Sequence, residues 1–403
     1  MENELIIFII ALIVLVYGFF SKKLEQLNIS GPMFFLLIGI LLSPLGLNLI
    51  HIALDSDILK MVAEIALILV LFTDSSQLSL KKFKTEWKIS ARLLLIGLPI
   101  TIVFSTYLAT LMFPNEPLLY LLLMALILAP TDAALGKAVV TDRLVPEEIR
   151  SSINVESGLN DGIVFPLLIT VILLIISHQE LGEDNSWILY LFEQISLGFI
   201  IGAISGFVGA KVLTRAVDKL WIKDVYRNLS PVSLAILTYY IAEHLGGNGF
   251  IAAFVSGAFF GNFSRLLDTH AERFLESDGE VLILISFLVF GLTFIPTTIE
   301  FWNMKVIIYS LLSLTAFRMI PVAFSLIGLG LSFKSKLFIG WFGPRGIASI
   351  LYVMTVAHKI EIVDMQSTLF SVITLTILLS IILHGLSAQP LVNLYAKTLK
   401  DKK

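Results

Sequence analysis

Two aspartates, a glutamate and an asparagine stand where an apolar chain should carry none. Ala129-Pro130-Thr131-Asp132 and Glu156-Ser157-Gly158-Leu159-Asn160-Asp161 both lie inside stretches hydrophobic enough to cross a bilayer. Polar and ionisable groups at that depth are expensive, so they must face protein or a wet cavity, and they mark ion pathways and proton relays. On a helix, Ser157 and Asp161 share one face, as do Glu156 and Asn160, because residues four apart are neighbours. Asp161 then offers carboxylate oxygens to a hard cation, with the Ser157 hydroxyl one turn away. Hard cations take oxygen ligands, and Thr131, beside the Pro130 break, supplies more.

A carboxylate withdrawn from water is neutralised equally well by a proton or by a monovalent cation. The two therefore compete for one place, and the charge of the site is the same with either bound. About one proton should exchange per cation, with no net charge movement. Asn160 fits this stoichiometry, since a second carboxylate there would allow two protons per turnover.

The elements that must hold these groups are apolar helices. The chain has 403 residues, 57% hydrophobic and 15% charged, with a mean hydropathy of +0.91. Apolar runs of about twenty residues recur from end to end, each long enough to span the hydrocarbon core. The expected fold is an all-α polytopic membrane protein embedded in the lipid bilayer, with about thirteen spans. They fall at 4–21, 31–50, 57–77, 91–113, 117–140, 148–177, 187–213, 230–245, 249–262, 280–297, 303–332, 336–357 and 366–394. No Cys occurs, which excludes disulfides and thiolate metal sites. Met1-Glu2-Asn3-Glu4 lacks a basic n-region, so the first run reads as a span and not a cleaved signal. No soluble domain is expected, because the longest polar connection, around 211–229, is too short for one.

Basic residues fall on alternate connections. One side carries Lys22 and Lys23, Lys81 to Lys88, Lys137 with Arg143 and Arg150, Lys211 to Arg227, Arg265 and Arg273, Lys334 and Lys336, and the lysine-rich tail. The other holds little beyond Lys60, Lys305 and Lys359. That asymmetry puts the C-terminus in the cytoplasm and the N-terminus outside. Trp87, Trp187, Trp221 and Trp302 fall near span ends, where either an interfacial belt or ordinary packing accounts for them. Gly198, Gly202 and Gly206 form a small-residue stripe, expected to pack within the chain more readily than at a dimer contact.

Two spans are interrupted. Pro130 removes a donor and disfavours helix at Ala129, and Gly343-Pro344-Arg345-Gly346 does so more strongly. Broken helices persist at membrane depth only inside protein or beside water, and a matched pair in two halves points to a transporter's binding site. The fifth span sits between the fourth and sixth and the twelfth between the eleventh and thirteenth, an odd offset that inverts one triplet relative to the other. Half-helix N-termini carry partial positive charge. Asp132 is placed to neutralise them and to reach the ion through water. Arg345 keeps its proton and needs a buried anion. Glu156 is its expected partner, because Asp161 must stay free for substrate.

At these residues the sequence resembles the monovalent cation/proton antiporter family, in its NhaP-like electroneutral branch. Pro130-Thr131-Asp132, Glu156-Ser157 with Asn160-Asp161, and Gly340-Trp341-Phe342-Gly343-Pro344-Arg345-Gly346 carry the likeness; Leu71-Phe72-Thr73-Asp74 and Leu245 to Phe254 add to it. The resemblance implies an NhaA/NhaP-like fold of thirteen helices with inverted repeats, two crossing interrupted helices and elevator-like alternating access. It implies ion-binding core helices at about 91–177 and 303–394, and dimerisation helices at about 4–77 and 187–297, hence a homodimer. It implies Asp161 as carrier of cation and proton, helped by Ser157, Thr131, Asp132 and Asp74, with Asn160 marking the branch and a structural Glu156–Arg345 pair. Asp74 is shorter than the Glu common in relatives. Arg318, in Arg318-Met319-Ile320-Pro321, also matches a family segment, with a structural role at a helix C-terminus.

Sodium or lithium exchange for protons is the leading expectation, and potassium/proton exchange on the same fold the alternative. No cofactor is implied beyond the transported ions, and no nucleic-acid partner. An intramembrane hydrolase lacks its motifs here, with no H-E-x-x-H and no G-x-S-x-G. A non-transporting sensor lacks an effector domain. Without a P-loop, the energy comes from a gradient. Glu64 and Glu193 read as packing or pore-lining residues, and His384 as a satisfied core histidine before a pH sensor.

Overall fold

The computed structural model describes residues 2–50, 57–76, 88–132, 135, 139, 142–180, 186–264, 271–359 and 368–400. Among these, all regular structure is helical. Each expected span contains a helix, although several are shorter than expected. The basic residues Lys81, Lys82, Lys84, Lys137 and Arg265, and Trp87, lie outside the described residues. The same holds for most of the fifth span beyond Asp132.

Two compact units divide the chain. One comprises Met1–Lys60, Lys88–Ser157 and Val281–Lys403, the other Met61–Trp87 and Gly158–Glu280. The first and second expected spans and 281–297 fall with the first unit, and the sixth span is shared.

In the first unit, α1 (Glu2–Gln26) is followed by α2 (Gly31–Leu42), whose N-terminus is capped by the Ser30 side chain accepting from Met33 N. A proline in the first turn of α2 costs nothing, because the missing donor would have been an orphan. The α4 helix (Lys88–Met112; α3 belongs to the other unit) contains a π-helical turn at Leu93–Gly97. Then come α5 (Leu118–Leu128), α6 (Glu147–Glu180, to Ser157 in this unit) and α10 (Ala271–Thr298, from Val281). The series ends with α11 (Met304–Leu314), α12 (Ala316–Ser325), α13 (Phe333–Trp341), α14 (Ile347–Lys359) and α15 (Thr368–Lys400).

Lipid tails are as apolar as leucine, so close packing and hydrogen bonds hold such helices together more than burial does. Gly39 of α2 lies against the Leu288 carbonyl of α10, and Gly291 of α10 against the Leu36 carbonyl of α2. A β-carbon at either place would collide with backbone, so the helices cross at glycine. Below the twelfth-span break, Val145, Ile149 and Ile153 pack with Val322, Leu326, Phe338, Ile339, Phe342, Val392 and Tyr395. The Phe338 and Tyr395 rings stack with centroids 4.3 Å apart. This cluster fixes the start of α6 against α12, α13 and α15.

In the second unit, α9 (Gly249–Phe263) is gripped on two sides by glycine contacts. Gly198, Gly202 and Gly206 of α7 (Ser186–Asp218) sit against the Asn248, Ala252 and Ser256 carbonyls. Gly257 and Gly261 of α9 meet the Phe72 and Ser76 carbonyls of α3 (Asp57–Ser76). The stripe on α7 is therefore an internal contact, the favoured of its two expected readings. Tyr239 of α8 (Asp224–His244) donates its hydroxyl to the Glu64 carboxylate, which gives Glu64 the packing role.

Among the described residues, six helices are long and apolar enough to cross a membrane: Lys88–Met112, Glu147–Ile176, Phe192–Asp218, Ile283–Phe301, Met304–Ser325 and Thr368–Thr398. Shorter apolar helices include Leu118–Leu128 and Ile347–Ala357, each one side of a break. Within the span expected at 303–332, the membrane-length run Met304–Ser325 bends at Thr315 (φ −114°, ψ −93°), where α11 gives way to α12, with no glycine or proline there to announce it.

Candidate functional site

The two anticipated breaks meet. The α5 helix ends at Leu128, and Ala129 to Asp132 leave the helix; α13 ends at Trp341, and 342–346 run as irregular chain before α14 begins. Asp132 N donates to the Pro344 carbonyl at 2.8 Å. Ile347 N, at the start of α14, donates to Asp132 Oδ2 at 2.9 Å. The carboxylate thus caps the positive end of the half-helix, the favourable place for an anion. At the other end of the crossing, Ser349 Oγ donates to the Ile127 carbonyl at 2.7 Å. Buried backbone groups freed by a break must find partners. Here each break supplies them to the other.

Gly346 lies directly under the Asp132 carboxylate, so an added β-carbon would occupy the space of that side chain. Gly346→Ala is therefore expected to displace Asp132 from the start of α14 and to lower the thermal midpoint in detergent. A midpoint equal to that of the parent would mean that the Asp132 side chain has room to move aside.

The buried ion pair is where the structure corrects the sequence. Glu156 was expected to pair with Arg345; its carboxylate is held instead by both terminal nitrogens of Arg318, at 2.9 and 3.0 Å. All three side chains are buried. The turn at Thr315 puts Arg318 in the first turn of α12 with its guanidinium on Glu156, and its Nε also donates to Gly340 O of α13 at 3.2 Å. Gly343 leaves room for that guanidinium, which a β-carbon would strike. Arg345 turns to carbonyls: Nη1 donates to Gly343 O at 2.5 Å and Nη2 to Ser313 O at 3.4 Å. Ser313 O lies in the last turn of α11, where a cation offsets the helix dipole, and Gly343 O in the irregular segment beyond α13. Arg318 keeps the role expected of it at a helix end, through Gly340 O in the last turn of α13, and adds the pair with Glu156.

The α15 helix fixes the same segment from behind. Ser380 Oγ accepts from Arg345 N at 2.6 Å, and His384 Nε2 lies 2.9 Å from the Trp341 carbonyl. His384 Nδ1 is 3.2 Å from Ser380 Oγ, and the imidazole lies against the Trp341 ring at 4.8 Å. His384 is the satisfied core histidine expected. Ser349, Ser380 and the turn at Thr315 escaped sequence reasoning, because buried serines and unsignalled kinks look ordinary until packing is known.

On α6, the Ser157 hydroxyl is hydrogen-bonded to Thr131 Oγ1 at 3.0 Å. Asn160 and Asp161 follow within one turn of the continuous helix and are buried, 1% and 5% exposed. A carboxylate so withdrawn, on a helix carrying Ser157 four residues earlier, is equipped to bind a small cation or a proton. Asp74 is partly buried on α3. No group of three or more His, Cys, Asp or Glu able to hold a metal ion occurs among the described residues.

Interrupted helices that cross, with buried carboxylates and capped half-helix ends, are the arrangement from which secondary transporters build their binding sites. Residues 8–394 match the family model "Sodium/hydrogen exchanger, transmembrane", and the chain belongs to that family. It is 25% identical over 358 residues to the K(+)/H(+) antiporter NhaP of Alkalimonas amylolytica, covering 88% of this chain and 61% of that protein. It is 27% identical over 315 residues to a Na(+)/H(+) antiporter of Schizosaccharomyces pombe, covering 70% and 66%. The chain thus spans 61% and 66% of the length of these two curated relatives. The fold is similar to that of the sodium proton antiporter MjNhaP1 of Methanocaldococcus jannaschii at pH 8. That likeness has a TM-score of 0.77 and 22% identity, over 98% of this chain and 100% of that one.

Proposed function

We propose that the chain exchanges sodium or lithium for protons without net charge movement, with both ions competing for Asp161. The observation that carries this is the buried Asp161 on α6, one turn from a Ser157 hydroxyl bonded to Thr131. In this reading Asp161 carries either ion. Ser157 and Thr131 lend oxygens to the cation, and Asp74 assists. Asp132 holds the half-helix end so that its charge does not repel the ion. Asn160 adds no titratable proton, which keeps the stoichiometry at one for one. Potassium is the second reading, supported by the relative named as a K(+)/H(+) antiporter.

The asymmetry of basic connections supports a cytoplasmic C-terminus in the cell membrane. The likeness to the antiporter family supports a homodimer, with core and dimerisation helices near the ranges given above.

Proteoliposomes test the proposal. Dilution against a gradient of sodium, lithium or potassium, with a trapped pH dye, should give proton movement with sodium or lithium, and an imposed membrane potential should leave the rate unchanged. No response to any of the three cations would overturn the reading. A rate that follows the potential would overturn its electroneutral part.

A further inference from the structure

The turn between α7 and α8 combines features that neither water nor a neutral headgroup layer accounts for. Basic residues recur there at every fourth position, at Lys211, Arg215, Lys219, Lys223 and Arg227. Only Asp218 and Asp224 oppose them within that stretch. Lys211 and Arg215 are exposed on the last turns of α7, at the end of the membrane-length segment Phe192–Asp218. At the tip, Leu220 is 90% exposed and Trp221 71% exposed. Leu220 also holds a left-handed backbone, φ +56°, which side chains with a β-carbon rarely adopt. Lys219 Nζ lies 4.7 Å from the centre of the Trp221 ring, and Lys211 Nζ 5.6 Å from that of Phe207.

Nothing within this chain packs over Trp221, 71% exposed, so the packing reading of it fails inside the chain. The interfacial reading remains: indoles settle at headgroup level, and lysines beside a span end extend towards the headgroups. A cluster of cations attracts lipid only where the surface is negative, because zwitterionic headgroups carry no net charge. We propose that this turn is a docking surface for anionic phospholipid headgroups. Leu220 and Trp221 sit at the acyl boundary, and the flanking lysines and arginines bind the phosphates. The inference stands apart from ion exchange and uses no residue of the transport site.

The chain has no cysteine, so Leu220→Cys introduces a single thiol for a fluorophore. The labelled protein is placed in phosphatidylcholine vesicles doped with equal amounts of brominated phosphatidylglycerol or brominated phosphatidylcholine. The expected result is at least twofold stronger quenching by the anionic lipid. That preference should vanish at high salt and in a Lys211→Gln, Arg215→Gln, Lys219→Gln, Lys223→Gln variant whose melting curve matches the parent. Equal quenching by the two lipids would mean ordinary insertion and overturns the proposal. Absence of quenching by either would mean that water or another protein surface covers the turn, and overturns it too. No transport is measured, so neither result bears on the antiport reading.

Discussion

Asp161→Asn should reduce cation-driven proton movement in everted vesicles to the level of empty vesicles. The substitution keeps the size of the side chain and its place on α6, but amide can neither take up a proton nor balance a cation. An alkali ion entering a buried site without an anion forfeits its hydration and gains no countercharge, a penalty of several kcal/mol. Since each 1.4 kcal/mol is a factor of ten, affinity falls by several orders of magnitude. Ser157→Ala removes one neutral oxygen and should weaken apparent cation affinity while leaving exchange measurable. The contrast between the two separates a carrier from a helper. Exchange retained by Asp161→Asn, with the protein correctly inserted, would move the carrier role to another carboxylate.

The second large effect lies in the buried pair. Arg318→Ala leaves Glu156 charged and enclosed, and losing one partner of a buried pair costs about 3–5 kcal/mol. The thermal midpoint in detergent should fall sharply, and Glu156→Gln in the same chain should recover part of the loss by removing the stranded charge. Arg345→Ala exposes a different deficit, two carbonyls without donors, at about 1–3 kcal/mol each at most. Rescue by Glu156→Gln should therefore occur with Arg318→Ala and not with Arg345→Ala. Rescue of Arg345→Ala alone would restore the pairing expected from sequence, and equal melts for Arg318→Ala and wild type would show that the bidentate contact contributes little.

The sequence marked Arg345 as a buried cation in need of an anion and assigned it Glu156, because Asp161 had to stay free; Arg318 was legible only as a structural residue at a helix end. What reversed the choice was a turn at Thr315, which carries neither proline nor glycine. That turn sets Arg318 within 3 Å of Glu156 and leaves Ser313 O for Arg345. The contact between the two breaks was half legible. Pro130 and Gly343 to Gly346 said where helix must stop, and Asp132 said that an anion stood nearby. The bond from Ile347 N to Asp132 joins positions 215 residues apart in sequence, and no local rule supplies that distance.

Sequence by itself determined the helical class, the apolar spans, both marked interruptions and the burial of Asp161. These follow from short-range chemistry: the backbone must satisfy itself in lipid, proline lacks a donor, and charge avoids hydrocarbon. Tertiary structure alone decided which guanidinium meets Glu156 and that α7's glycines face α9. Each of those is a choice among partners of equal chemistry. Only the packing of distant helices brings one of them within hydrogen-bond reach.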